Sequence, residues 1–176
     1  MAIRVSDAQL RAIAPPPAVA VPLQVQARDQ WCWAACCSMA LVQQGHPKQQ
    51  CVIAGSYLSG KCCQAGACNS PCLIADVQAV FRNNGLHQAA FVNGTLAAAA
   101  LAGQLPGQGP GAGNTVALGL EGSTDHMVLV VGASGSSFIV NDPDPTRGTC
   151  ALTYAELLQD ANRARSWSVT WQNLRS

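Results

Sequence analysis

The chain is poor in charge. Only 11% of its 176 residues are Asp, Glu, Lys or Arg, and only two of its ten basic residues are lysines, Lys48 and Lys61. Soluble domains usually carry about 25% charged residues and disordered segments more, so a mostly disordered chain is excluded. The net charge is +1 and the basic residues are scattered, so the clustered basic face needed for nucleic acid is missing. Long apolar runs are lacking too. Met127 to Ala133 is among the longest, far short of the roughly 18 residues of a membrane span. There is no internal repeat, and the first 25 residues hold no apolar stretch behind a basic start of the kind that directs secretion. What remains is one domain, 49% hydrophobic, long enough to bury a core and expected to be a monomer without nucleic-acid or membrane partners.

Cysteine, by contrast, is plentiful. Eight of the nine cysteines (Cys32, Cys36, Cys37, Cys51, Cys62, Cys63, Cys68 and Cys72) crowd into positions 32 to 72, and Cys150 stands apart. Such density reads as disulfides in an oxidising compartment, which points to a secreted or exported protein. The spacing Cys62-Cys63-x4-Cys68-x3-Cys72 fits zinc poorly, because structural zinc sites use Cys pairs two to four residues apart. An odd count leaves one thiol over. With Cys32 as that thiol, Cys36, Cys37, Cys51, Cys62, Cys63, Cys68, Cys72 and Cys150 are expected to form four bridges of unknown pairing. Cys36 is expected to tie its helix to the cysteine-rich loop, and Cys150 to join the two halves of the chain.

Two punctuations divide the chain. Residues 1–23, with Pro15-Pro16-Pro17 and Pro22, read as a Pro-rich extended arm. Residues 105–114 hold four glycines and two prolines and read as a flexible loop. Between them, residues 24–104 read as helical, with helices over Trp33–Gln44, Val52–Leu58, Leu73–Asn84 and Thr95–Leu101, the last capped by Thr95, and a cysteine-studded loop over 59–72. Residues 115–176 read as strands over Thr115–Leu120, Met127–Ala133, Phe138–Asn141 and Trp167–Trp171, interrupted by a helix over Tyr154–Asn162 that opens on a capping box, Thr153 with Glu156. Helices first and an antiparallel sheet second make an α+β fold.

A cysteine nucleophile needs a device that favours the thiolate, and a helix N-terminus or a nearby imidazolium supplies it. Cys32 sits at the start of the first predicted helix. Trp31 and Trp33 flank it as apolar walls for a substrate, and Gln26 lies six residues upstream. The Gln26 side-chain amide and the Cys32 backbone N–H together form a candidate oxyanion hole. Among the three histidines, His46 and His87 lie in turns and read as surface residues. His126 opens a strand, where a sheet can hold a base rigidly. The next strand ends in Asn141-Asp142-Pro143, so Asn141 or Asp142 can face His126 across antiparallel neighbours and orient its ring. Asp125 is a weaker orienter, because sequence neighbours on a strand point to opposite faces. It is retained as a substrate contact.

The ordered set Gln26-x5-Cys32-Trp33, then His126, then Asn141-Asp142-Pro143 resembles the papain-like cysteine peptidase superfamily. The closer likeness is to papain-like effector proteases of plant-pathogenic bacteria and to double-glycine leader peptidases, and it covers roughly residues 24–172. The resemblance implies a two-lobed papain-like fold and no cofactor or metal. It also implies Cys32 as nucleophile, His126 as base and then acid, Asp142 as orienter and Gln26 as oxyanion donor, acting on a protein or peptide substrate. The cysteine load departs from the family pattern, and the insertion at 59–72 could border the cleft. Two other functions share these residues: a deamidase or acyltransferase toxin using the same triad, and a non-catalytic disulfide-braced binding module.

Overall fold

A computed structural model describes residues 21–64, 68–106, 113–122, 124–160 and 165–176. Most of the Pro-rich arm and of the Gly/Pro-rich loop lies outside the described residues. So does the C-terminal end expected for the helix over Tyr154–Asn162.

The helical half contains α1 (Cys32–Gln43), α2 (Gln50–Leu58) and α3 (Ile74–Asn84). Every residue of α1 from Trp33 to Leu41 is buried, because Ala, Cys, Met and Leu leave the helix no polar face. A helix apolar all round belongs in the middle of a protein. Gly45, with φ +77°, turns the chain after α1. Gly85, at φ +121°, ends α3 by donating its N–H to the Arg82 and Phe81 carbonyls; both dihedrals are positive values that glycine adopts freely.

The remaining elements are β1 (Ala90–Asn93), α4 (Ala98–Gln104), β2 (Val116–Glu121), β3 (His126–Ser134), β4 (Ser137–Asp142), β5 (Gly148–Thr153), α5 (Tyr154–Leu158), β6 (Gln159–Asp160) and β7 (Arg165–Gln172). They form one antiparallel sheet of order β1-β7-β2-β3-β4-β5, with β6 pairing β7. Alternate residues point to opposite faces and fill two cores. Ala117, Met127, Leu129, Val131, Ile139 and Trp171 pack against α1 and α3. Val116, Leu118, Val128, Val130, Val140 and Trp167 face Leu101 and Leu105 at α4 and Leu157 of α5. This is the expected α+β architecture, with helices on both faces of the sheet.

Four local expectations need correction. β1 and β5 were not predicted, since Ala90–Asn93 is short and Gly148–Thr153 is polar at its start. α4 begins at Ala98 behind Ala97 with no side-chain cap, so Thr95 caps nothing. α5 ends at Leu158 instead of running to Asn162, because Gln159 and Asp160 pair with β7. Its capping box forms as expected, Thr153 and Glu156 each holding the other's backbone N–H.

The arm is not free at its described end. Val21 is buried, its carbonyl accepts from Asn141 Nδ2 at 3.0 Å, and Gln24 Oε1 accepts from Ser38 Oγ at 2.8 Å. The Val25 carbonyl accepts from Gln50 Nε2 at 2.8 Å, Ala27 N donates to Gln50 Oε1 at 2.9 Å, and Gln26 N donates to the Pro143 carbonyl at 2.9 Å. Residues 21–27 thus form a strap that ties α1, α2 and the end of β4 together.

The disulfide expectation is half met. Cys51–Cys63 and Cys62–Cys68 are bridged, so the adjacent pair Cys62-Cys63 does send its members to different partners. Cys36, Cys37 and Cys72 are thiols instead of bridge partners. Cys36 and Cys37 face the packed interior along α1, and Cys36 donates to the Met127 carbonyl of β3 at 3.5 Å instead of reaching the cysteine-rich loop. Cys150 belongs to neither bridge. It sits on β5 against the second core.

Candidate active site

Cys32 is the first residue of α1, behind Trp31, and the helix carries no side-chain cap and no acidic residue in its first turn. The N–H groups that such an end leaves unpaired favour negative charge beside it. His126 and Asp142 come from neighbouring strands. The β3–β4 register pairs Leu129 with Asn141, which makes His126 a diagonal neighbour of Asp142 on one face, within reach of an imidazole.

The structure places His126 Nε2 at 2.7 Å from Asp142 Oδ1, both side chains buried. The same carboxylate oxygen accepts the Asp144 backbone N–H at 2.9 Å, which fixes its orientation. Asn141, the other candidate orienter, points away: its side chain contacts the Val21 carbonyl and Met39 and accepts from Thr149. Cys32 and the His126 ring line the same cleft, and the thiol is near enough to act on the ring's titration. Burial alone would lower the His126 pKa. The hydrogen bond to Asp142, the interaction with Cys32 and the negative charge of both partners outweigh it and raise the value from 6.5 to about 9. The same site therefore brings a sulfur, an imidazole and a carboxylate together.

Cys32, His126 and Gln26 open onto one cleft of about 400 Å³, while Asp142 lies behind His126. Gln26 is at the mouth, but its Nε2 donates to the Arg28 and Asp29 carbonyls at 3.1 and 2.7 Å, and its Oε1 is buried without a partner. Trp33 lines the cleft. Trp31 does not: it is almost wholly buried and donates its indole N–H to the Cys68 carbonyl at 2.7 Å, so its role is to anchor the start of α1 to the bridged loop. Trp33 makes a parallel, longer contact with the Ser70 carbonyl at 3.4 Å. Pro71 and Cys72 of that loop reach the cleft wall, as does Asp125. Burial pushes the Cys72 thiol up to about 12, so it stays protonated at neutral pH.

Two residues of the wall were not singled out from sequence. Gly119 of β2 lies against Val169 and the Trp171 ring, and a Cβ there would overlap both. Its signal was a glycine in mid-strand, a mark of close approach. Arg165 also lines the cleft and is 7% exposed; nothing in the sequence separates it from other arginines. Among the described residues, no group of three His, Cys, Asp or Glu side chains is placed to hold a metal ion. No helix among them is long and apolar enough to cross a membrane.

The family model described as "Papain-like cysteine protease AvrRpt2" matches residues 17–156. Two solved structures share the fold. One is the peptidase domain of Streptococcus ComA, a bi-functional ABC transporter involved in quorum sensing, with TM-score 0.60 and 12% identity over 86% of this chain and 96% of that one. The other is a double-glycine-motif protease from an AMS/PCAT transporter in complex with its leader peptide, with TM-score 0.50 and 19% identity over 86% of this chain and 89% of that one. No curated protein matches the chain.

Proposed function

Because this chain belongs to the papain-like cysteine proteases of the AvrRpt2 family, we propose that it hydrolyses peptide bonds with Cys32 as nucleophile, His126 as acid and base, and Asp142 as orienter. The observation that carries this assignment is that Cys32, at the start of α1, shares one cleft with His126, whose ring is hydrogen-bonded to Asp142. In acylation, Cys32 Sγ attacks the carbonyl carbon, and the carbonyl oxygen takes the negative charge. His126, protonated by its raised pKa, gives its proton to the departing amine as the C–N bond breaks. Water then attacks the thioester, His126 accepts its proton, and the acid leaves with Cys32 regenerated.

The oxyanion is held by the Cys32 backbone N–H and by Gln26. In the resting site both Gln26 amide hydrogens are engaged by loop carbonyls, so the role requires one of them to turn toward substrate. Each such donor contributes about 3–4 kcal/mol to the transition state. The leader peptide bound to the double-glycine protease supports a peptide substrate. Two disulfides in a small domain and kinship with an effector-type protease support export, since such bridges persist in oxidising compartments. A purely binding module is disfavoured, because Cys32 is a thiol beside an imidazole and not a bridge partner.

The test is incubation of the protein and of Cys32→Ala with a proteome-derived peptide mixture, read by mass spectrometry for new termini and by an ammonia assay. New N-termini that need Cys32 are expected. Ammonia released without new termini would assign the triad to a deamidase instead.

A further inference from the structure

Arg165 carries more hydrogen-bonding capacity than its surroundings use. It opens β7 and lines the cleft that holds Cys32 and His126. Its Nη2 donates to Thr124 Oγ1 at 2.7 Å, while Nε and Nη1 are buried with no partner. A guanidinium cannot give up its proton to escape this, so it keeps a full positive charge and several idle N–H donors. No carboxylate pairs with it among the described residues. The acids Asp29, Glu121, Asp125 and Asp144 also line the cleft; the first three are exposed and solvated, so water screens them, and the half-buried Asp144 accepts from Thr146, while Arg165 is sheltered. Buried polar groups are normally satisfied, and a charged one left open in a cleft wall marks a place for a partner.

We propose that Arg165 is a specificity-determining residue that binds a carboxylate of the substrate, taking the place Thr124 holds in the empty site. A carboxylate matches the guanidinium fork with two parallel charge-assisted hydrogen bonds, which a neutral amide cannot reproduce. Thr124 is exposed and lies in the short loop that leads into His126, so it can yield without disturbing the sheet. The carboxylate belongs to an Asp or Glu side chain or to the free C-terminus of the peptide. This inference rests on the peptidase reading for its kinetic test, and a binding measurement makes it independent of that reading.

Peptides found to be cleaved are resynthesised with Glu or Gln at successive positions, each with a free and an amidated C-terminus. At one position the protein is expected to prefer Glu over Gln by about ten- to a hundredfold in kcat/KM. If the α-carboxylate is the ligand, the preference follows the free C-terminus instead. Arg165→Gln is expected to abolish the preference, and Arg165→Lys to keep part of it. In parallel, the Arg165 side-chain Nε–H resonance of Cys32→Ala is followed by NMR as the Glu peptide, then its Gln counterpart, is added. A shift with the Glu peptide alone supports the inference even if no peptide is cleaved, in which case the peptidase reading fails by itself. Cleavage with equal rates for Glu and Gln, with no Nε–H shift, overturns the inference and leaves the peptidase reading standing. If Arg165→Gln fails to fold, the Glu/Gln pair and the resonance decide the matter.

Discussion

The bridged loop and the first helix use the same residue for opposite purposes. In the loop, Cys51–Cys63 and Cys62–Cys68 close short rings that fasten a stretch with few large apolar side chains, 59–72, to the edge of the first core through the buried Cys62. In α1, Cys36 and Cys37 are small apolar side chains inside a fully buried helix, and burial pushes both thiols well above their ordinary range. Cys32, one turn earlier, differs from them in facing a cleft and an imidazole. Position, then, separates a covalent staple, an inert core group and a nucleophile. The two regions also cooperate, since the Cys68 and Ser70 carbonyls hold the indoles on either side of Cys32.

Removing the nucleophile breaks the comparison most sharply. Cys32→Ala is expected to lower peptide hydrolysis by about 10⁴-fold or more, and His126→Ala by about 10²–10⁴-fold, each measured as kcat/KM with folding checked by circular dichroism. Gln26→Ala distinguishes an oxyanion donor from a loop tie: a loss of about 10²–10³ in kcat is expected for the donor, whereas a tie to the Arg28 and Asp29 carbonyls would cost only a few-fold. The His126 pair also makes stability depend on pH. A folded-state pKa raised from 6.5 to about 9 favours the protonated ring in the fold. Its contribution is thus full below about 6.5 and disappears as pH rises through about 9. Thermal midpoints recorded from pH 6 to pH 10 should therefore fall, and acylation should fall with them as the acid is lost.

The staples come next. Cys51→Ser with Cys63→Ser is expected to cost about 3 kcal/mol and Cys62→Ser with Cys68→Ser about 2 kcal/mol, from the lengths of the loops released. The second pair should also slow catalysis a few-fold, because it loosens the segment that anchors Trp31; urea titration and peptide assays measure the two effects. Cys37→Ala should have the smallest effect, about 1 kcal/mol of stability with activity unchanged. Alkylation of the native protein should label Cys32 first and spare Cys36 and Cys37. In denaturant, Cys51, Cys62, Cys63 and Cys68 should stay unlabelled until reductant is added.

Sequence reasoning reached the elements whose signal is local. α1, α3 and the strands around Met127 and Ile139 announce themselves by apolar pattern and by Gly or Pro stops. The capping box at Thr153 and Glu156 depends on four adjacent residues and formed as read. The candidates Cys32, His126 and Asp142 were also legible, as a residue at a helix start and residues at the ends of adjacent strands. What escaped was non-local. β1 exists because β7 offers it a partner, and no propensity of Ala90–Asn93 says so. Which cysteines pair depends on which reach the surface loop together, and Cys36 and Cys37 are withdrawn from pairing by the burial of α1. Trp31 and Trp33 look alike in sequence, yet one lines the cleft and the other is an anchor. Arg165 is remarkable only for donors with nothing to bind, a property that exists once the chain is folded.

The strap at residues 21–27 sets an order of events during synthesis. It leaves the ribosome early, yet the side chain that holds its Val21 carbonyl belongs to Asn141, 120 residues later, and the Pro143 carbonyl that receives Gln26 follows. At about 5–20 residues per second, roughly ten seconds pass before those partners exist. Gln26 and the approach to Cys32 take their places only after β4 is made. A nascent chain therefore carries its nucleophile long before it carries an assembled site, and the first described segment to be synthesised is among the last to settle.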